Sequence, residues 1–238
     1  MAAASAGSLL PEQLAALPVP VRSWYERPSL EVAADLLGAL LTTRSAEGEV
    51  TLRITELEAY DGEDDPGSHA FRGRTARNAV MFGEPGRLYV YRHLGLHHCM
   101  NIVTGPAGQA SAVLLRAGEV VHGIDLARAR RAAAGVVDSD RQIARGPARL
   151  TVAVGVDLTD NGVDLTEPDG TRVLRRLPGA PRPVHATGPR VGVSGDGGDA
   201  ERFPWRLWLT GEPTVSAYRP AYRRPTSRNS PRRGTTSA

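Results

Sequence analysis

Between Glu56 and Asp65 the chain sets six carboxylates in ten positions, ELEAYDGEDD, although its formal charge is +3. A run of like charge is ordinarily a solvated face. Here the first half continues an alternating segment, VTLRITELEAY, so Glu56, Glu58 and Tyr60 share one face of a strand and Leu57 and Ala59 the other. A glutamate at a strand end suits general-base chemistry, because the strand fixes the carboxylate while the following loop shapes a pocket over it. Two further groups carry reactive side chains. Tyr89 and Tyr91 of LYVYR lie at a spacing of two, a pattern that serves core packing more often than ligand stacking. His93, His97, His98 and Cys99 are the donor types of a zinc site. Their segment HLGLHHC reads as a hairpin with His97 and His98 facing opposite ways, which argues against convergence on a metal.

The elements that must position these groups follow from the periodicity. LEVAADLLGAL after Arg27-Pro28-Ser29 reads as a helix with apolar positions Leu30, Ala33, Ala34, Leu37 and Leu41. LLTTR and VTLRITELEAY flank SAEGE as a β-hairpin ending near Tyr60. DGEDDPGSHAFRGRTARN is a long loop of the kind that carries function, with Asp61, Glu63, Asp64 and Asp65 expected on its solvated side and Glu56 left open. RLYVYRHLGLHHCMNIV forms two strands joined at His93-Leu94-Gly95-Leu96, and SAVLLRAGEVV a further strand. IDLARARRAA and DRQIARGPARLTVAVGV read as helices, the latter broken at Gly146-Pro147, and RVGV and PWRLWLTG as late strands. Central strands with helices before and after imply a single α+β domain on a curved, largely antiparallel sheet. Neither GxxxxGK nor a strand-linked GxGxxG occurs, so no nucleotide cofactor is expected.

Composition excludes some chemistry outright. The chain contains no lysine, and arginine is no amine nucleophile at neutral pH, so a side-chain Schiff base is ruled out. One cysteine, Cys99, fits a reducing cytoplasm. The start lacks a secretory pattern and no run is long and apolar enough for a membrane span. Residues 218–238 hold six arginines and no carboxylate, whereas residues 1–217 are net −3. The expected organisation is a leader over 1–24, one domain over 25–217 and a disordered basic tail over 218–238 that holds polyanions weakly.

Taken in order, TELEAYDGEDDPGSHAFRGRTARNAVMF, PGRLYVYRHLGLHHCMNIV, AVLLRA, GPARL and RVGV resemble the alkyladenine (3-methyladenine) DNA glycosylase family from about Pro28 to Val215. The resemblance implies a cytoplasmic monomer that binds double-stranded DNA through the minor groove, flips a damaged purine into a pocket and hydrolyses its glycosidic bond, with neither metal nor other cofactor. By motif, Glu58 would be the general base, with Arg116 holding the attacking water and the backbone of Val191 completing its site. Tyr60, His69 and Tyr91 would stack on the extruded base, and Asn101 would crowd the amino group of a guanine. Arg77 would contact phosphate, and Leu94, Leu96 and His97 of the protruding hairpin would meet the groove, Leu94 as the wedge. Leucine stands at that tip where better-known eukaryotic members carry tyrosine. The absence of lysine implies water-only chemistry without strand cleavage. Two other classes compete with this reading: a metal-dependent hydrolase built on His93, His97, His98 and Cys99, and a damage-binding module without catalysis.

Overall fold

The computed structural model describes residues 11–176 and 182–221. Among the described residues, eight strands form one sheet in which neighbouring strands run antiparallel. They are β1 (Leu40–Ser45), β2 (Gly48–Tyr60), β3 (Leu88–His93), β4 (His97–Val103), β5 (Ala112–His122), β6 (Arg172–Arg175), β7 (His185–Gly188) and β8 (Arg206–Leu209). The main order is β3-β4-β5-β2-β1-β6, with β8 and then β7 added beside β2. Among the described residues, five α-helices accompany the sheet: α1 (Pro11–Ala15), α2 (Arg22–Tyr25), α3 (Ser29–Leu36), α4 (Ile124–Ala133) and α5 (Pro147–Val154). None is long and apolar enough to cross a membrane.

Strand β2 organises the fold and also the chemistry. One edge pairs with β5 from Thr51 to Tyr60, while the other pairs with β1 up to Arg53 and then with β8 over Glu56 to Glu58. Unbroken alternation would put Glu56 and Glu58 on the same side as Val50, Leu52 and Ile54, which are fully buried in the main core. The pairing avoids this. Ile54 opposes Gly118 and Glu56 opposes Ala117, so Thr55 is an extra residue on β2, and the register slips again where Arg116 lies between Ala117 and Leu115. A bulge re-aims the side chains beyond it. After Thr55 it is Leu57 and Ala59 that join the core, which frees Glu56, Glu58 and Tyr60 for the opposite face.

The core closes with Val32, Ala33 and Leu36 of α3 and Leu150, Ala153 and Val154 of α5. A smaller apolar cluster of Ala70, Met81, Tyr89, Val103, Ala110 and Ala112 supports the long loop after β2.

Several expectations need correction. Helix α3 stops at Leu36 rather than running to Leu41, because Gly38 adopts φ +79° and its N–H bonds Ile54 O, which starts the chain into β1. RVGV is a turn rather than a strand: Arg190 is buried and Gly192 has φ +72°. Strands β6 and β7, four residues each, had not been expected. Asp65 is not on a solvated surface but fully buried against Arg190, whereas Asp61, Glu63 and Asp64 are exposed. The leader before Pro11 and the basic tail beyond Ala221 lie outside the described residues. Of the tail's first residues, Arg219 accepts a backbone hydrogen bond from Gly192 N–H at 3.0 Å.

Candidate active site

The re-aimed face of β2 brings two buried carboxylates to one arginine, and they are held very differently. Glu56 is saturated. Its Oε1 accepts from Arg116 Nε at 2.8 Å, Arg206 Nε at 2.7 Å and the Ser216 hydroxyl at 2.8 Å, while Oε2 accepts from Ser216 N–H at 2.6 Å. Burial pushes this carboxyl up, but Arg116, Arg206 and the Ser216 N–H outweigh it and hold it below the ordinary value. Glu56 is thus a structural anion.

Glu58, two residues on, lines an open cavity of about 480 Å³. Its Oε1 accepts from Val191 N–H at 2.6 Å, and its Oε2 accepts from the Tyr60 hydroxyl at 2.9 Å and faces Arg116 Nη1 at 3.2 Å. Burial and the nearby Glu58 push the Tyr60 hydroxyl well up, so it remains a donor. Burial opposes the charge of Arg116, yet Glu58 and Glu56 raise it above the ordinary value and it stays a cation. The result is a buried carboxylate in a fixed orientation, backed by a positive charge and set in the cavity wall. That is the arrangement a general base requires.

Aromatic rings wall the cavity. Tyr91 stacks on Tyr89 with centroids 5.5 Å apart, and His69 meets Tyr91 edge to face at 4.4 Å. The hydroxyl of Tyr89 lies 3.2 Å from His69 Nδ1, so Tyr89 orients a ring of the site although the sequence marked only its partner Tyr91 for that work. Tyr60 lines the same space with the Arg190 guanidinium 4.6 Å over its ring. Asn101 lines it too, its amide donating to Tyr89 O at 3.1 Å. The structure therefore gathers Glu58, Arg116, Tyr60, His69, Tyr91, Asn101 and Val191 around one cavity, and adds Met81, Cys99 and His93 to its wall.

His69 is exposed, yet the protein packed around it, with Arg77 and His93 adding repulsion, pushes its imidazole down to about 4. The ring is neutral at pH 7. We expect its NMR resonances to titrate well below the ordinary midpoint near 6.5 and to be flat from pH 7 to 8. Since the unfolded chain binds this proton first, the contribution to stability is present above about pH 6.5 and is lost as pH falls toward 4.

The remaining groups lie outside the cavity lining. Arg77 is exposed, with its guanidinium 5.5 Å over the Tyr91 ring. Leu94 and Leu96 are 80% and 75% exposed at the tip of the β3–β4 hairpin, beside an exposed His97. Leu94 holds φ +50° and Gly95 φ +70°, and Leu96 N–H closes the turn on His93 O. A leucine at positive φ costs strain where Asn or Gly would fit, so its presence there asks for another role. The zinc-type residues do not converge: among the described residues no group of three or more His, Cys, Asp or Glu is placed to hold an ion. Burial pushes the Cys99 thiol up, which keeps it neutral.

Comparison with known proteins bears on this geometry. Residues 23–213 match the family model described as methylpurine-DNA glycosylase. A relative from Leifsonia xyli subsp. xyli, provisionally named 3-methyladenine DNA glycosylase, is 58% identical over 202 residues, covering 84% of this chain and 92% of its own. Relatives with the same provisional name come from Streptomyces avermitilis, 54% identical over 83% of this chain and 91% of theirs, and Nocardia farcinica, 48% identical over 81% and 88%.

Proposed function

Because this chain belongs to the methylpurine-DNA glycosylase family, we propose that it removes modified purines such as 3-methyladenine from double-stranded DNA, extruding the nucleotide into the Glu58 cavity and leaving an abasic site. The observation that carries this reading is the Glu58 carboxylate, oriented by Val191 N–H and Tyr60 and lining an aromatic-walled cavity. In the reaction the C1′–N bond breaks and its electron pair leaves with the base. A purine that already carries an alkyl positive charge departs neutral. The sugar becomes oxocarbenium-like, and the Glu58 carboxylate opposes that charge while accepting the proton of the water that attacks C1′. Tyr91, His69 and Tyr60 stack on the base and offset the cost of unstacking it, which is about a few kcal/mol. The chain has no lysine to form a Schiff base with the opened sugar, so the strand remains uncut. The protein works as a monomer.

Base release from a panel of duplexes, each carrying one modified purine, tests the reading. N-methylpurines, hypoxanthine and etheno-adenine should be distinguished by rate, and strands should break only after alkali. Failure to release any of these bases would refute the proposed activity.

Leu94 is the wedge that fills the gap left by the extruded nucleotide, as apolar side chains do in other groove-distorting proteins. Leu94→Ala should slow single-turnover excision of well-paired lesions about tenfold, the lower end of what burying a leucine is worth. Mismatched lesions should suffer less, and the melting temperature should not change because the side chain is exposed. A lowered melting temperature with unaltered excision would assign Leu94 to the fold instead.

A further inference from the structure

The loop after β2 and the turn at Arg190 are joined by an ion pair from which both partners have lost all contact with water. Asp65 and Arg190 side chains are each 0% exposed. The guanidinium forks onto the carboxylate: Nη1 bonds Oδ2 and Nη2 bonds Oδ1, the latter at 2.7 Å. Its remaining bonds go to backbone on both sides, Nη1 to Ala59 O at 3.1 Å and Nη2 to Gly197 O at 2.7 Å. Tyr60 covers one ring contact at 4.6 Å, and Phe203 and Trp205 lie at 5.3 and 5.4 Å. Packing around the pair is tight. A methyl group on Gly67 would come within 2.5 Å of Arg190 Nη2, and one on Gly197 within 2.3 Å of Gly67 N.

This clasp surrounds Glu58 in sequence and in space. Arg190 grips residue 59 by its carbonyl and residue 60 by its ring, and the next residue along, Val191, donates its N–H to Glu58 Oε1 at 2.6 Å. Tyr60 in turn donates to Oε2. Both hydrogen bonds that set the orientation of the Glu58 carboxylate thus come from residues fixed directly by Arg190.

We propose that Asp65 and Arg190 are positioning residues for Glu58, holding Val191 N–H and the Tyr60 hydroxyl on its two oxygens. The inference rests on Glu58 being the base of the proposed reaction. A displacement of about 1 Å at a reacting group costs about 100-fold in rate, so that is the size of effect expected.

The test compares Asp65→Asn and Gly67→Ala with wild type. Asp65→Asn removes the charge that holds the fork. Gly67→Ala keeps all charges and displaces the guanidinium, and it decides the matter if Asp65→Asn fails to fold. For each protein the active fraction is titrated, the saturating single-turnover excision rate is measured per active molecule, and hydrogen exchange of the Val191 amide is followed by NMR. We expect the rate per active molecule to fall about 100-fold in Asp65→Asn, the half-saturating concentration to stay unchanged, and the Val191 amide, slow to exchange in wild type, to lose its protection selectively. Gly67→Ala should move both readings in the same direction by less. Rate per active molecule and Val191 protection both unchanged, with only melting temperature or active fraction reduced, would show the pair to be merely structural and overturn the proposal. If wild type releases no base at all, the glycosylase reading fails on its own, and the Val191 amide still decides whether the clasp holds that N–H in place.

Discussion

Glu58→Gln lowers the single-turnover rate of base excision by about 10²–10⁴-fold, the usual worth of a general base, while affinity for the lesion duplex stays near that of wild type. The substitution is nearly isosteric. Its amide oxygen can still accept the Val191 N–H now bonded to Oε1, and the cavity walls of Tyr60, His69 and Tyr91 keep their places. What is lost is the proton acceptor and the negative charge opposite the developing oxocarbenium ion. Arg116 retains Glu56 as a counter-ion, so the protein should melt close to the wild-type temperature. Unbound duplex, bound duplex and released base are separated by gel shift and chromatography in one experiment. Excision near the wild-type rate would remove Glu58 from the mechanism.

The same change two residues earlier has the opposite character. Glu56→Gln leaves Arg206 without a carboxylate partner and Arg116 with only Glu58, deep in the protein, and it weakens four hydrogen bonds at once. Removing one member of a buried charge cluster costs about 3–5 kcal/mol, and for a domain of this size each kcal/mol lowers the melting temperature by about 2–4 °C. A drop of about 10 °C is expected, with the molecules that remain folded excising far faster than Glu58→Gln. Acidity gives a second check. Because the folded Glu56 carboxyl lies below its ordinary value, its stabilisation is complete above about pH 4.3 and fades as pH falls through the lower folded value. That part of the acid-induced loss of stability should be absent from Glu56→Gln. Equal melting curves for the two proteins would contradict the assignment of Glu56 as a structural anion.

These adjacent glutamates show what the sequence makes legible and what it hides. Local period and turn chemistry identify β2, its end at Tyr60 and the β3–β4 hairpin with Leu94 at the tip, because each depends on neighbours a few residues away. The bulge at Thr55 does leave a trace, since the apolar residues of VTLRITELEAY fall at 50, 52 and 54 and then at 57 and 59, and the pairing with β5 supplies its physical reason: an extra residue shifts the phase between Ile54 and Leu57. Glu56 could not be assigned from sequence because its partners Arg116, Arg206 and Ser216 lie 60 to 160 residues away. Asp65 was misplaced on a solvated loop for the same reason, its counter-ion Arg190 being 125 residues distant. Arg190 itself resembled a strand residue in RVGV, and only its burial shows that the turn exists to carry it inward. Helix α3 was extended too far because Leu37 and Leu41 keep the helical period across Gly38, whose φ of +79° ends the helix regardless. Tyr89 differs from these. Its spacing from Tyr91 was visible, and what could not be read was that both rings belong to the cavity.

In the proposed reaction a water, activated by Glu58, replaces the base at C1′. The direct measurement is a single-turnover reaction on a duplex containing one N-methylpurine, with the free base quantified by chromatography and the strand analysed by mass spectrometry before any alkali treatment. The expected result is one equivalent of free modified purine and an uncut strand whose mass shows a hydroxyl in place of the base, both formed about 10²–10⁴-fold more slowly with Glu58→Gln. No released base, or a strand cut before alkali, would contradict it.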